Sequence, residues 1–175
     1  MKVKLKDKVF NYRFAKKEDI NRCLYLEKII ANESDSNLHL SYNKKDLIHK
    51  LVNKNKILLL FYKNRLIAYS NVELSNKDRL NWIDEFDIKK KFFCFVGYLG
   101  GTRVSSNFRG YSIQRFFIRK REEYLKKIGC KLSLITVHPK NKYSLNNIVS
   151  SNYILIKKNK NIFGKIRLFY KKSLN

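Results

Sequence analysis

The sequence predicts a mixed α/β domain, with about seven strands and four helices in the order β-α-α-β-β-β-α-β-α-β-β. Two observations support this fold class. Short apolar segments separated by tight turns indicate hairpins of neighbouring strands. A strongly amphipathic helix at 112–129 stands between two strand-like segments, and such a unit brings its strands into parallel alignment. A mixed sheet with at least one parallel pair is expected, and 175 residues suit a single domain at 1–175.

The first half of the chain is predicted to form a strand, two helices and a hairpin. The segment VFNYRF (9–14) alternates apolar and polar residues, which is typical of a strand, and the segment after it has apolar residues near helical spacing. A second, shorter helix is expected at 44–53. The apolar segments within 56–74 indicate a hairpin that turns at Lys63 and Asn64.

The second half is predicted to contain the strand–helix–strand unit and a closing hairpin. Residues 75–91 are expected to form a long loop. The strand that follows at 92–104 contains the pair Gly100–Gly101, which suggests a bulge or a splay. Gly129 ends the amphipathic helix. The remaining elements are expected at 131–137 (a strand), at 141–151 (a short helix) and in a hairpin that turns at Phe163 and Gly164.

The chain is strongly basic, with 39 Lys and Arg against 14 Asp and Glu and a formal net charge of +25. Neutralisation of phosphates by basic side chains supplies most non-specific nucleic-acid binding, so the charge is compatible with a nucleic-acid-binding module. The abundance of Lys, Asn, Ile, Tyr and Phe is also what AT-rich codon usage produces whatever the function, and this explanation is favoured. In either case a basic surface attracts phosphate-bearing ligands.

The three cysteines, Cys23, Cys94 and Cys130, are odd in number and show no C-x-x-C spacing. Neither a disulfide framework nor a zinc site is expected, and no metal is predicted. The start of the chain lacks an apolar signal core, and no apolar run approaches the length of a membrane span. These features predict a cytoplasmic protein without a membrane anchor.

The segment FRGYSIQRFF (108–117) joins a short connection to the start of the strongest predicted helix. Gly110 permits a turn, and it also permits close approach of the backbone to a ligand. The unpaired N–H groups and the dipole of a helix start attract an anion such as a pyrophosphate, to which Arg109 and Arg115 would add charge-assisted contacts. The alternative is a plain turn with a helix cap at Ser112. Neither the P-loop pattern nor the dinucleotide-binding pattern G-x-G-x-x-G is present.

The segment VSSNFRGYSIQ (104–114) resembles the central motif of the GCN5-related N-acetyltransferase (GNAT) superfamily, in which a strand ending in Val leads through an Arg-Gly turn into a helix. The resemblance continues in VHPKNKYS (137–144) and in the opening FNYRFAKKEDI, and the order of elements also matches. The chain departs from the family pattern at Ser112 and Gln114, which replace glycines.

The resemblance implies an acetyl-CoA-dependent N-acetyltransferase that moves the acetyl group directly from the CoA thioester to a primary amine. Acetyl-CoA would lie where the strand at 92–104 parts from the strand at 131–137. The pantetheine would pair along the first strand, and the pyrophosphate would meet the helix start. The cofactor-binding residues implied in this way are Thr102, Arg103, Val104, Arg109, Gly110, Tyr111, Ser112, Ile113, Gln114, Arg115, Asn141 and Ser144.

Transfer to an amine requires the neutral amine, so some group must take the ammonium proton. Many family members carry a Glu on the strand before the motif, but FFCFVGYLGGTRV (92–104) contains none, and Ile148 stands where the family often has a Tyr general acid. Tyr98, or a water held by backbone carbonyls, is the candidate that is left, and Asn147 is the second predicted catalytic residue. The oxyanion would form near the N–H of Val104.

One anomalous segment carries the prediction about the acceptor. Asp84, Glu85 and Asp87 lie beside Trp82 and Phe86 and form a local acidic cluster in a basic chain. Carboxylates and aromatic faces both attract an ammonium group, so the segment is expected to help bind a positively charged amine. Its alternative is a solvated turn. For the whole protein, the alternative function is a nucleic-acid-binding or regulatory module on the same fold without transferase activity.

Overall fold

The computed structural model describes residues 1–33, 41–52, 54–74, 86, 88–162 and 165–174. Within these residues the chain forms one sheet of eight strands and four α-helices. The strands are β1 (Lys2–Leu5), β2 (Lys8–Phe14), β3 (Lys56–Tyr62), β4 (Arg65–Leu74), β5 (Val96–Val104), β6 (Leu132–Val137), β7 (Ile154–Ile162) and β8 (Lys165–Ser173). The helices are α1 (Ile20–Glu33), α2 (Lys44–His49), α3 (Ile113–Lys127) and α4 (Lys142–Val149).

The strands lie in the order β1-β2-β3-β4-β5-β6-β8-β7. Neighbouring strands are antiparallel except for β5 and β6, which run parallel with Val96 opposite Leu132 and Tyr98 opposite Leu134. Helix α3 connects these two strands, because neighbours that run in the same direction need a crossover. The predicted mixed sheet with a parallel pair is confirmed.

The predicted count of about seven strands was wrong by one, since the described residues form eight. The additional strand is β1, which pairs antiparallel with β2 and sets Val3 opposite Phe10. Its sequence contains only two apolar residues between lysines, so the strand signal is weak and pairing with β2 supplies the stability. The strand expected at 92–104 also begins late, because Lys90–Phe95 form a 3₁₀-helix and β5 starts at Val96.

Helices cover both faces of the sheet. On one face, α1 and α2 pack against a cluster that includes Ile57 and Leu59 of β3. On the other face, Phe117 of α3 packs against Leu58 and Leu60. Successive residues of β3 therefore point into different layers, and both sides of this strand are apolar because both are covered. The molecule has three layers, with α4 beside α3.

Strands β5 and β6 part after Tyr98, the last β5 residue that pairs with β6. Beyond it β5 continues to Val104 along β4 alone, with a bulge at Gly100–Gly101 opposite Asn71. A Cβ at Gly100 would lie 2.0 Å from the side-chain nitrogen of Asn71, so only glycine fits there. The glycine pair therefore marks a bulge and stands beside a splay, which are the two features predicted for it.

The buried Arg121 of α3 holds this bulge in place. Its guanidinium donates to the carbonyl oxygens of Asn71 and Gly100, both at 2.9 Å, and to that of Phe117 at 3.1 Å. The first two bonds satisfy carbonyl groups beside the bulge, where the regular ladder is interrupted. Burial lowers the pKa of Arg121 to about 10, so the guanidinium stays protonated at neutral pH.

Candidate active site

A cavity of about 890 Å³ opens where β5 and β6 part. Its walls come from these two strands, from the connection before α3, from the start of α3, from α4, and from single residues of α1, of the segment before α2 and of β8. All of the predicted cofactor residues except Tyr111 and Arg115 line this cavity, and the two predicted catalytic residues, Tyr98 and Asn147, line it as well. Residues that are far apart in the sequence therefore meet at one site.

The two predicted residues outside the cavity lining have other surroundings. The ring of Tyr111 packs against Phe10 with a centroid distance of 6.0 Å and against Phe108 at 6.3 Å, and Lys8 lies over it. The side chain of Arg115 is exposed on α3. The side chain of Tyr111 packs beside the helix start and that of Arg115 faces solvent, and neither lines the cavity. These two residues therefore offer only their backbone N–H groups to the predicted anion site.

The start of α3 has the backbone geometry of an anion site. Gly110 and Ser112 have positive φ angles of 83° and 58°, and a Cβ at Gly110 would meet no atom within 4 Å. The first helical hydrogen bond runs from the N–H of Phe116 to the carbonyl of Ser112 at 3.0 Å, so the N–H groups of Ile113 to Arg115 lie outside the helical ladder. Ser112 makes no side-chain cap, and the first turn contains no acidic residue. This helix end therefore presents N–H donors and positive potential towards the cavity.

The free edge of β5 also presents backbone groups. The N–H of Ser105 donates to the carbonyl of Ile67 at 2.9 Å, which makes Ala68 and Val104 a pair without mutual hydrogen bonds. The N–H and carbonyl of Val104 therefore point away from β4, towards the edge that β6 has left. By the same alternation Thr102 points its backbone groups to this edge. An extended ligand chain can pair there as a further strand.

Polar side chains tie α3 to α4 along one wall of the cavity. Gln114 donates to the hydroxyl of Ser144 at 2.7 Å and accepts from the amide of Asn147 at 2.9 Å. The side chain of Asn141 accepts the N–H of Ser144 at 3.1 Å and so caps α4. Asn147 therefore helps to fix the position of Gln114. Its carboxamide does not ionise near neutral pH, so it is not suited to general acid–base catalysis.

Tyr98 and Thr136 join their hydroxyl groups at 2.7 Å across the point where β5 and β6 part. Burial raises the pKa of Tyr98, so the phenol is protonated at neutral pH and can donate a hydrogen bond but is not available as a strong base. His138 also lines the cavity, and its Nδ1 accepts the N–H of Lys140 at 3.2 Å.

Buried ion pairs lie behind the cavity wall. Arg103 contacts Glu27 at 2.6 Å, and Lys50 contacts Glu73 at 2.6 Å. Both cations lie over the ring of Tyr42, with Lys50 Nζ at 4.5 Å and Arg103 Cζ at 4.9 Å from its centre. The Tyr42 hydroxyl lines the cavity side and accepts the N–H of the second bulge glycine at 3.1 Å. No described residue of the lining is Asp or Glu, and the carboxylates of Glu27 and Glu73 are engaged in these ion pairs.

The residues of the site that sequence reasoning missed include Tyr42, Thr136 and Arg167, which all line the cavity. Arg167 lies on β8 and is only 4% exposed. In a chain with 39 Lys and Arg, one more Arg in a strand gives no signal of its own. Tyr42 precedes α2 without a recognisable motif, so its place could be found only from the fold.

The predicted acceptor residues Asp84, Glu85 and Asp87 lie outside the described residues. Phe86 is described, and it is buried against Phe169 at a ring-centroid distance of 5.0 Å and against Tyr98 at 6.4 Å. Across the described ranges, no group of three or more His, Cys, Asp or Glu side chains could hold a metal ion. None of the helices in those ranges has the length and apolar character needed to cross a bilayer.

Comparisons of the sequence with protein-family models and with curated proteins give no match. Solved structures do match over nearly the whole chain. The GNAT domain of PAT from S. lividans superposes with a TM-score of 0.77 at 12% identity, covering 99% of this chain and 96% of that one. The yncA structure from Salmonella typhimurium, determined with its cofactor acetyl-CoA, gives 0.71 at 11% identity, with 95% and 94% covered. A ribosomal-protein-alanine N-acetyltransferase from Brucella melitensis gives 0.71 at 16% identity, with 94% and 99% covered.

These likenesses show the fold of the chain. The chain has the fold of the GCN5-related N-acetyltransferases, and the fold implied by the motif VSSNFRGYSIQ (104–114) is confirmed.

Proposed function

We propose that the protein is an acetyl-CoA-dependent N-acetyltransferase that transfers the acetyl group directly to a primary amine. The observation that carries this proposal is the cavity between the parted ends of β5 and β6, with the uncapped start of α3 at one end. A long ligand with an anionic middle and an extended arm fits that combination of helix start and free strand edge. Acetyl-CoA is such a ligand, and when bound it supplies an acetyl group activated as a thioester.

Different parts of the cavity lining hold different parts of acetyl-CoA. The N–H groups from Gly110 to Arg115 receive the pyrophosphate, and Arg109 adds a cation beside them. The backbone edge at Thr102 and Val104 pairs with the pantetheine arm. Asn141 and Ser144 line the facing wall at the start of α4. The Salmonella typhimurium neighbour was determined with its cofactor acetyl-CoA, which supports the choice of this ligand.

The edge of β5 also stabilises the transition state. When an amine adds to a thioester carbonyl, negative charge develops on the carbonyl oxygen. The N–H of Val104 points to the free edge, so it is placed to donate to that oxygen, and removing such a donor commonly costs about 3 kcal/mol in the barrier. Holding the two reactants side by side contributes more, because it removes the entropy cost of a bimolecular encounter.

The amine must lose its proton before it reacts. An alkylammonium with a pKa of about 10.4 is neutral in roughly one molecule of 2,500 at pH 7, which corresponds to about 4.6 kcal/mol. The described lining contains no Asp or Glu to take this proton. Arginine side chains in the lining disfavour the ammonium and lower its pKa, and the Tyr98–Thr136 pair orients the amine and passes the proton towards water.

Two kinds of acceptor fit the comparisons and the sequence. The Brucella melitensis neighbour is a ribosomal-protein-alanine N-acetyltransferase, which brings a protein N-terminus into consideration. The acidic residues Asp84, Glu85 and Asp87 favour an acceptor that arrives with a positive charge. Both acceptors offer a primary amine.

The test combines binding with turnover. We expect acetyl-CoA to raise the melting temperature of the protein, because a ligand selective for the native state stabilises it, whereas single-stranded DNA gives the smaller shift. A panel of amines, followed by release of free CoA thiol, then identifies the acceptor class. If millimolar acetyl-CoA causes no shift and no amine releases thiol while DNA stabilises the protein, the transferase proposal is wrong and the nucleic-acid-binding module takes its place.

A further inference from the structure

Arg167 is a buried cation whose hydrogen-bond partner among the described residues is a backbone carbonyl and not a carboxylate. Only 4% of the residue is exposed, and its Nη1 donates to the backbone carbonyl of Ile166 at 3.3 Å. Among the described residues, no Asp or Glu lies within ion-pair distance of it. Among the described residues three other Lys or Arg side chains are also deeply buried. Arg103 and Lys50 each contact a Glu at 2.6 Å, and Arg121 donates to three backbone carbonyls.

A buried charge without an opposite charge is costly to the folded protein. Burial lowers the pKa of Arg167, which reflects this cost, although the guanidinium stays protonated. The side chain lines the cavity, so the missing anion can come from a ligand. A guanidinium offers a planar fork of N–H donors that matches a carboxylate in a two-bond arrangement.

Arg167 lies on the face of the sheet opposite to the predicted pyrophosphate site. Ile135 and Val137 of β6 pack in the cluster of α3 and α4, so Thr136 points to the other face. Thr136 is opposite Phe169 of β8, and Arg167, two residues before Phe169, shares its face. The start of α3, which carries the anion site for CoA, belongs to the first face. Arg167 is therefore not needed for the CoA phosphates.

Arg167 lies beside the residues that are proposed to contact the reacting amine. Tyr98 and Tyr42 line the same cavity as Arg167, and Tyr98 bonds Thr136 at the point where β5 and β6 part. Phe169 and Phe86 form an apolar base beside this group. In such a dry environment a charge-assisted bond is stronger than at the surface, so the site discriminates sharply between an anion and its neutral analogue.

We propose that Arg167 binds a carboxylate of the acceptor, and hence that the acceptor is a small amine that also carries a carboxylate, the class to which amino acids belong. This inference rests on the proposed function. A protein N-terminus fits less well. The carboxyl group of its first residue is part of an uncharged peptide bond, so it would not provide the buried guanidinium with an anion.

The test uses the wild-type protein first. A panel of amino acids, with β-alanine and γ-aminobutyrate, is assayed beside the carboxamide of each compound by thiol release from acetyl-CoA. We expect the best carboxylate to exceed its carboxamide in kcat/KM by about 10- to 100-fold, the range of one charge-assisted interaction. Cadaverine and phosphoethanolamine complete the panel as amines without a carboxylate.

Variants then test whether the side chain of Arg167 causes the preference for a carboxylate over a carboxamide. R167Q should remove most of the discrimination between carboxylate and carboxamide, mainly through KM, and R167K should keep part of it because the charge remains. R119Q removes the same charge from an exposed position on α3 and should keep the full preference. Circular dichroism and acetyl-CoA binding are measured for each variant, so that loss of folding is not taken for loss of recognition. If R167Q does not fold, R167K and the wild-type pairs decide.

The outcomes separate this inference from the function on which it rests. If wild-type protein binds acetyl-CoA and acetylates carboxamides, cadaverine or phosphoethanolamine as fast as any carboxylate, the inference is wrong and the transferase proposal stands. If acetyl-CoA neither binds nor turns over, the proposed function has failed. A carboxylate preference that R167Q leaves intact also overturns the role of Arg167.

Discussion

The two ends of the cavity are built in different ways. At the end proposed for the cofactor (the cofactor end) the donors are backbone N–H groups, supplied by the start of α3 and the free edge of β5. At the end proposed for the acceptor (the acceptor end) the polar groups are side chains from separate strands: Tyr98 from β5, Thr136 from β6 and Arg167 from β8. The first end depends on local chain geometry, and the second depends on how distant strands are packed together.

This difference explains why one end suits a constant ligand and the other a variable one. Backbone donors do not change with side-chain substitution, so they suit a cofactor that every member of a reaction class shares. Side chains can be exchanged without moving the strands that carry them. We therefore expect substitutions at the two ends to affect different measured quantities, and four variants test that separation.

The largest effect is expected for Gly110→Asp at the cofactor end. A carboxylate would stand where the pyrophosphate must lie, and like charges in contact cost several kcal/mol, so acetyl-CoA affinity should fall on the order of a thousandfold. Isothermal titration calorimetry measures this affinity for acetyl-CoA. Gly129→Asp is the matched control, because Gly129 also has a positive φ angle and open space around it but lies at the other end of α3. Affinity within twofold of wild type in a folded Gly110→Asp protein would place the anion site elsewhere.

The next largest effect is expected for Arg121→Met, which should disturb both ends of the cavity. The change leaves the carbonyls of Asn71 and Gly100 without their donor, and the free energy of unfolding should fall by about 3 kcal/mol. Denaturant unfolding gives this value. Arg119→Met, two residues earlier on the exposed side of α3, should change it little. Equal stability of the two variants would show that Arg121 does not support the bulge.

Tyr98→Phe should act at the acceptor end alone. Loss of the hydroxyl that bonds Thr136 should lower kcat by about tenfold, the value of one hydrogen bond in the transition state, with acetyl-CoA affinity unchanged. Tyr153→Phe is a close control, because Tyr153 bonds a hydroxyl of the same strand, that of Ser133, at 2.7 Å but does not line the cavity. A drop of similar size in both variants would point to a general packing effect.

Arg109→Ala should give the smallest effect. Its side chain is exposed, and the backbone donors of the α3 start stay in place, so acetyl-CoA should bind only about three- to fivefold more weakly. The loss should shrink as salt is added, since an exposed charge is screened. A loss as large as that of Gly110→Asp would mean that side-chain charge, rather than the backbone, holds the anion.

The same contrast describes how much the sequence could predict. The strand, turn and helix around Gly110 follow from local signals, namely an apolar strand, a glycine and an amphipathic helix. The acceptor end has no such signal, because Tyr98, Thr136 and Arg167 are far apart in the chain and meet only through the strand order β5-β6-β8. Strand β1 was missed for a related reason: two apolar residues between lysines become a strand only beside β2.

A crystal structure of the protein with acetyl-CoA tests the central claim most directly, because it locates the cofactor relative to both ends. We predict pyrophosphate oxygens about 2.7–3.2 Å from N–H groups between Gly110 and Arg115, with the pantetheine arm along the free edge of β5 at Thr102 and Val104. The thioester should then lie beside Tyr98. Acetyl-CoA bound away from the gap between β5 and β6, with the start of α3 in contact only with water, would contradict the account.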